Sequence, residues 1–120
     1  MNIITVDFES FYATDFSLSK ITTEEYIRDD RFEIIGCGVA VNDEPAVWLT
    51  GGHDEVIKQL RTYDWENSFV LAHNTMFDGA ILSWICDIHP KGYLDTLCMA
   101  RAIHGVDASA SLKAVATRYG

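Results

Sequence analysis

Two acidic residues near the start of the chain have the type and spacing needed for metal chemistry. Asp7 and Glu9 flank Phe8 at the end of an apolar, β-branched run, residues 3–7, which predicts a buried strand. Because side chains alternate along a strand, we expect both carboxylates on one side of it. Such a pair repels itself, and a divalent cation is the simplest partner that keeps both groups ionised. Solvated acids at a strand end are the alternative.

A second group of polar side chains follows a later predicted strand, residues 69–72. The C-terminal ends of strands are where open α/β sheets hold their ligands. We expect Asp78 in the first turn of the helix that follows, where the helix dipole favours its charged form. Two local explanations stay open. Thr75-x-x-Asp78 also fits a capping box with Asp in place of Glu, and Asn74 could cap the same helix.

Together the two motifs predict one site. Asp7, Glu9 and Asp78 would meet at neighbouring strand ends, and three hard oxygen ligands suit Mg²⁺ or Mn²⁺. Two such ions about 3.5–4 Å apart activate a water and stabilise the leaving oxygen of an in-line displacement. The pattern therefore predicts phosphoryl-transfer chemistry with these three residues as both metal ligands and catalytic groups.

The elements that must position this site follow an α/β order with an antiparallel hairpin near the start. Residues 8–30 are polar and predict a loop, and His73 is interpreted as a structural hydrogen-bonding residue. The patterns predict strands at 3–7, 32–41, 46–49, 69–72 and within 90–95, and helices at 54–62, 75–86, 96–104 and 112–119.

The acidic composition limits how the protein could bind a nucleic acid. The chain has 120 residues, the length of one domain, and a formal net charge of −9. A protein that grips phosphates by bulk charge should be basic, so any such contact must run through metal ions or a few local groups. Three cysteines without a Cys-x-x-Cys pair indicate buried, reduced thiols.

Nothing in the sequence indicates a membrane or secretory destination. The longest apolar stretches, residues 34–41 and 79–86, are too short to span a bilayer, and the N-terminus has no basic region of a signal peptide. We therefore expect a cytoplasmic protein without a membrane partner.

In its motifs the chain resembles the 3′–5′ proofreading exonuclease domain of family A DNA polymerases, particularly those of phages, within the DEDD exonuclease superfamily. The resemblance is carried by Asp7-x-Glu9, by Asn74-x-x-Phe77-Asp78 and by Leu94-Asp95-Thr96-Leu97, in that order. It implies a ribonuclease H-like mixed sheet flanked by helices. It also implies a single-stranded DNA 3′ end as substrate and a polymerase domain, in the same or another chain, as partner.

Residue roles follow from the resemblance by position. Asp7 would bridge two Mg²⁺ or Mn²⁺ ions, Glu9 would hold the ion that activates the water, and Asp78 would help to place the second. Asn74 would contact the substrate strand. Phe8 and Phe77 would shape the pocket around the terminal nucleotides, whereas Asp95 is interpreted as a helix cap with Thr96.

One motif of the family has no counterpart in place. A third acidic motif, Tyr-x-x-x-Asp or His-x-x-x-x-Asp, is expected on a later helix, whereas Tyr26-x-x-x-Asp30 lies between the first two motifs. We therefore expect residues 1–120 to be the N-terminal part of a single exonuclease domain, truncated before the last helices and weak or inactive alone. An RNA exonuclease of the same superfamily and a non-catalytic binding module with a vestigial site are the alternatives.

Overall fold

The computed structural model describes residues 2–105 and 110–119, which form five strands and five α-helices. The strands are β1 (Asn2–Ser10), β2 (Ile34–Val41), β3 (Val47–Leu49), β4 (Ser68–Ala72) and β5 (Gly92–Asp95). The helices are α1 (Thr23–Arg28), α2 (His53–Leu60), α3 (Thr75–Ala80), α4 (Thr96–His104) and α5 (Leu112–Tyr119). Within these ranges no helix has the length and apolar character needed to cross a bilayer.

The strands form one mixed sheet in the order β3-β2-β1-β4-β5. The central strand β1 pairs antiparallel with β2 and parallel with β4, and the outer pairs are antiparallel β2–β3 and parallel β4–β5. This arrangement confirms the predicted α/β class with an antiparallel hairpin near the start. It is compatible with the ribonuclease H-like sheet flanked by helices that the resemblance implied.

The two faces of the sheet differ in chemistry. Ile4, Val6 and Phe8 point from β1 into the hydrophobic core, where each is at most 5% exposed. The intervening residues of β1 lie on the other side, which we call the open face: Thr5, Asp7 and Glu9 are all exposed there. Alternation along β1 thus places both acids on one side of the strand, as the sequence predicted.

Two glycines of β2 lie directly across from the acids. Gly38 pairs with Asp7 and Gly36 pairs with Glu9 in the antiparallel register. The Trp48 ring covers Gly36, because a Cβ atom there would lie 2.2 Å from the indole. No side chain of β2 therefore rises beside the two carboxylates on the open face.

The structure corrects several local predictions. The helix expected at 75–86 is α3 followed by a π-helical turn, Ile81–Ile85, and a short 3₁₀ turn at Trp65–Asn67 precedes β4. The loop predicted at 8–30 contains the end of β1 and the whole of α1. Cys37 and Cys86 are buried as expected, but Cys98 is exposed.

Candidate functional site

The end of β1 explains where Asp78 lies. Pairing between β1 and β4 stops at Thr5 and Leu71, whereas β1 continues to Ser10. Beyond that point the hydrogen-bond partner of β1 is a side chain and no longer β4. Asp78 Oδ1 accepts a hydrogen bond from the backbone N–H of Phe8 at 3.1 Å. The bond joins residues 70 apart in sequence. It brings the two acidic motifs to the same strand end.

This contact overturns the local explanation for Asp78. In a capping box its carboxylate would return to the start of its own helix, whereas here it bonds to another element. The Thr75 hydroxyl also turns away from such a cap and donates to the carbonyl of Leu94 at 2.7 Å. The capping-box interpretation is therefore wrong.

The environment of Asp78 raises its pKa. The residue is only 4% exposed, and burial raises the pKa of its carboxyl to about 7. The N–H of Phe8 opposes this shift by stabilising the carboxylate, and the nearby charge of Asp7 adds to it. Asp7 and Asp78 are thus close enough to repel, and no Lys, Arg or His in the described ranges forms an ion pair with either of them or with Glu9.

Glu9 lies beside a cavity of about 260 Å³ that opens next to β1. We call it the Glu9 cavity; its lining consists of Phe8, Glu9, Ser10, Tyr12, Ser17, Leu18, Tyr26 and Phe77. Phe8 and Phe77, the two aromatic residues predicted to shape a nucleotide pocket, are therefore brought together with Glu9. The cavity combines apolar walls with a carboxylate.

Tyr26 is a wall of this cavity that the sequence patterns did not predict. Its hydroxyl donates to the carbonyl of Phe11 and therefore accepts from Ser10 Oγ, which lies 2.8 Å away. The residue is buried because α1 packs it against the core, but α1 fell within the predicted loop. A signal for this helix was present: Thr22 Oγ1 accepts from the N–H of Glu25 at 3.2 Å, as expected of a Thr-x-x-Glu capping box.

Asn74 precedes α3 with a left-handed backbone, φ 67° and ψ 66°, a conformation that Asn tolerates better than most residues. Its side chain is exposed and makes no capping hydrogen bond, so the interpretation of Asn74 as a side-chain cap is wrong. The position at the start of α3 leaves this amide on the surface at the end of β4.

Asp95 performs the capping instead, and at two helices. Its carboxylate accepts the N–H groups of Asn74 at 2.9 Å and Thr75 at 3.0 Å, at the start of α3. It also accepts the N–H of Leu97 at 2.9 Å, within α4. Burial opposes ionisation, but these backbone donors outweigh it and lower the pKa of Asp95. The predicted role of Asp95 as a helix cap is confirmed.

The donor chemistry at the end of β1 fits a hard divalent cation. Carboxylate oxygens are the ligands that Mg²⁺ and Mn²⁺ prefer, and among the described residues no ion pair compensates the charges of Asp7 and Asp78. However, in residues 2–105 and 110–119 no three His, Cys, Asp or Glu side chains are grouped closely enough to hold a metal. The metal-binding trio of Asp7, Glu9 and Asp78 stays a prediction.

Comparison with known proteins adds no assignment. No protein-family model matches the chain, and no curated protein sequence matches it. The functional interpretation therefore depends on the geometry and chemistry of the residues described above.

Proposed function

We propose that this chain is part of a metal-dependent 3′–5′ exonuclease that removes terminal nucleotides from DNA and serves a polymerase domain as its proofreading activity. The observation that supports this most directly is the hydrogen bond between Asp78 and the N–H of Phe8. It brings Asp78 to the residue that lies between Asp7 and Glu9, which supports a joint role for the three acids.

In this proposal Asp7 and Asp78 hold the metal, and Glu9 joins them from the same face of β1. When bound, two divalent ions supply Lewis-acid activation of a water and charge stabilisation of the leaving oxygen. Asp78 is about half protonated near neutral pH without a cation, because its pKa is about 7. It must therefore release a proton when it becomes a ligand, which makes metal affinity rise with pH.

The Glu9 cavity would receive the terminal nucleoside. Phe77 is half-buried and offers aromatic surface on which a base can stack, a contact that is worth about 1–3 kcal/mol per base and tolerates any sequence, whereas Phe8 is buried and contributes to the lining. Ser10 donates its hydrogen to Tyr26, so its oxygen and the Glu9 carboxylate both present acceptors to a sugar hydroxyl. Asn74 lies exposed at the start of α3, where it would contact the adjoining strand.

Bulk charge makes the cation necessary for binding as well as for chemistry. The net charge of −9 repels a polyanion, so the attraction that DNA-binding proteins normally draw from bulk positive charge must come from metal ions or a few local groups. We therefore expect DNA binding to depend on divalent ions.

Manganese binding gives the first test of this proposal. We expect Asp7→Ala to weaken Mn²⁺ binding, measured by calorimetry or electron paramagnetic resonance at pH 8, by at least about 10-fold, since even a residue that only supports a ligand is worth that much. The matched control is Asp43→Ala, because Asp43 is exposed in the β2–β3 turn. Equal Mn²⁺ affinity of the two variants would contradict the proposal.

Hydrolysis gives the second readout. We expect the chain to release mononucleotides slowly from 3′-labelled single-stranded DNA with Mn²⁺, and to lose this activity with a chelator or with Asp7→Ala. RNA of equal length in the same assay separates the alternatives. Faster cleavage of RNA would indicate an RNA exonuclease, and binding without any cleavage, together with Mn²⁺ affinity unchanged by Asp7→Ala, would indicate a non-catalytic module.

A further inference from the structure

The imidazole ring of His73 bridges two elements that are far apart in sequence. His73 directly follows β4, and its Nδ1 lies 2.9 Å from the hydroxyl of Thr96, the first residue of α4. Its Nε2 lies 2.6 Å from the carbonyl oxygen of Ala110, two residues before α5 begins. The predicted structural hydrogen bond of His73 is therefore present, and it is made at both ring nitrogens.

The partners define which nitrogen carries the hydrogen. A carbonyl oxygen can only accept, so Nε2 must donate to Ala110. In the neutral ring Nδ1 then accepts from the Thr96 hydroxyl, which lies closer to His73 than to its other acceptor, the Ala72 carbonyl at 3.4 Å. Both nitrogens are used, which fixes the orientation of the ring as well as its position.

The first two residues of α5, Leu112 and Lys113, bury little surface. Leu112 extends towards the open face and lines a cavity of about 200 Å³ together with Thr5, Asp7 and Leu71, but it is 56% exposed. Lys113 is exposed as well. The cap of this helix is local, because Ser111 Oγ accepts from the N–H of Ala114 at 3.2 Å. Ala114 and Val115 are only half-buried, so the hydrogen bond between His73 and the Ala110 carbonyl is a defined attachment of this end of α5 to the end of β4.

We propose that His73 is a positioning residue that fixes the start of α5 beside Asp7, so that Leu112 forms a wall of the metal-binding edge on the open face. His73 itself is not required to touch a metal or a substrate. The placement of α5 is independent of the proposed function, whereas the expected effect on catalysis rests on it. In that case the wall guides the substrate strand towards Asp7, so its loss should raise KM more than it lowers kcat.

Two substitutions separate the two hydrogen bonds of the ring. His73→Gln can place an amide NH₂ near the position of Nε2 and so keep a donor for Ala110. His73→Asn has a shorter side chain that reaches only the position of Nδ1 and Thr96. We expect amide hydrogen exchange in residues 112–119 to become about 5-fold faster in His73→Asn, the size of effect that one hydrogen bond gives, and to stay near wild type in His73→Gln.

The matched control is His89→Asn, because His89 is exposed and pairs with Asp87 in a turn. It should leave exchange in α5 unchanged. Unchanged α5 exchange in His73→Asn would overturn the proposal, and so would an equal increase in both His73 variants. An increase that extends to β1 and β4 would overturn it too, because His73 would then stabilise the whole fold and not position one helix.

Activity is measured separately on the same proteins. If the chain degrades DNA, His73→Asn should raise KM about 3-fold or more while kcat stays within about 2-fold, and His73→Gln should restore KM. If amide exchange in α5 became faster but KM did not change, Leu112 would not guide the substrate strand. The attachment of α5 through His73 would still stand. Should wild type show no hydrolysis, as expected if residues 1–120 are inactive alone, hydrogen exchange still decides whether His73 positions α5.

Discussion

Two aspartates near the ends of neighbouring parallel strands have opposite electrostatic properties. Asp95, the last residue of β5, accepts three backbone N–H groups, and its pKa is lowered. Asp78, in the first turn after β4, accepts one N–H from another element, is almost fully buried and has a pKa raised to about 7. The number of donors and the degree of burial therefore decide the charge state more than position relative to a helix does.

The difference separates a structural carboxylate from a candidate chemical one. The charge of Asp95 is already satisfied by the amides of α3 and α4, so a cation has little to add there. Asp78 has one backbone donor and lies close to the like charge of Asp7. A divalent ion would therefore supply the positive charge that stabilises both carboxylates. The difference between Asp78 and Asp95, at neighbouring strand ends of one sheet, therefore supports the metal-binding proposal for Asp78.

The largest expected effect is on how stability depends on pH, and it concerns Asp78. Folding raises its pKa from 3.8 to about 7, so the folded state binds more protons between these values and the free energy of unfolding falls as pH rises through them. The loss over this range is about 4 kcal/mol and ends above the folded-state pKa. We expect Asp78→Asn to remove this slope in urea unfolding at pH 4.5, 6 and 8 with a chelator present.

The control for this experiment is Asp43→Asn, whose exposed carboxyl should leave the slope as in wild type. Adding Mn²⁺ to wild type at pH 8 should recover the lost stability, since a ligand that binds only the folded state stabilises it by mass action. A slope that is the same in Asp78→Asn and wild type would contradict the assignment.

A smaller effect is expected at Asp95, where replacing the carboxylate should lower the free energy of unfolding at neutral pH. Asp95→Ala leaves the N-terminal amides of two helices without their acceptor, which should cost about 2 kcal/mol at pH 7. Chemical unfolding would measure this, with Asp54→Ala as control, because Asp54 is an exposed acid in the first turn of α2. If both variants lost equal stability, the double cap would have no special role.

The smallest expected effect sharpens the electrostatic part of the comparison. Asp7→Asn removes the repulsion that adds to burial at Asp78, so the pKa of Asp78 should fall, by less than about one pH unit because Asp7 is exposed. The carboxyl carbon of Asp78, followed by NMR during a pH titration, reports this directly. If the pKa of Asp78 were the same in Asp7→Asn and in wild type, the two carboxyl groups would not interact.

Much of the fold was predictable because its patterns are local. The apolar, β-branched run before Asp7 predicts β1, and α2 and α5 follow from helical spacing. The open face was predictable from alternation alone. What failed were short elements whose stability comes from tertiary contacts: α1 has six residues, and Tyr26 and Ile27 are buried by distant parts of the chain.

The candidate residues could be named from the sequence, but their contacts could not be predicted from it. Residue type and strand-end position were enough to select Asp7, Glu9 and Asp78. The partner of Asp78 depends on β1 extending past β4, and no local pattern encodes that difference in length. The same limitation applies to Asp95, whose bonds to Asn74 and Thr75 cross from one parallel strand end to the next.

The extension of β1 past β4 has a consequence for how related sequences should diverge. The Phe8 amide needs an acceptor whether or not the protein is an enzyme, and position 78 supplies it. If the chain is an enzyme, a descendant that lost catalysis would thus still be selected for Asp or Asn at 78, while positions 7 and 9 drifted freely. In related sequences, retention of position 78 alone would therefore indicate that only the structural hydrogen bond is maintained. Retention of positions 7, 9 and 78 together would indicate that a shared chemical role is maintained.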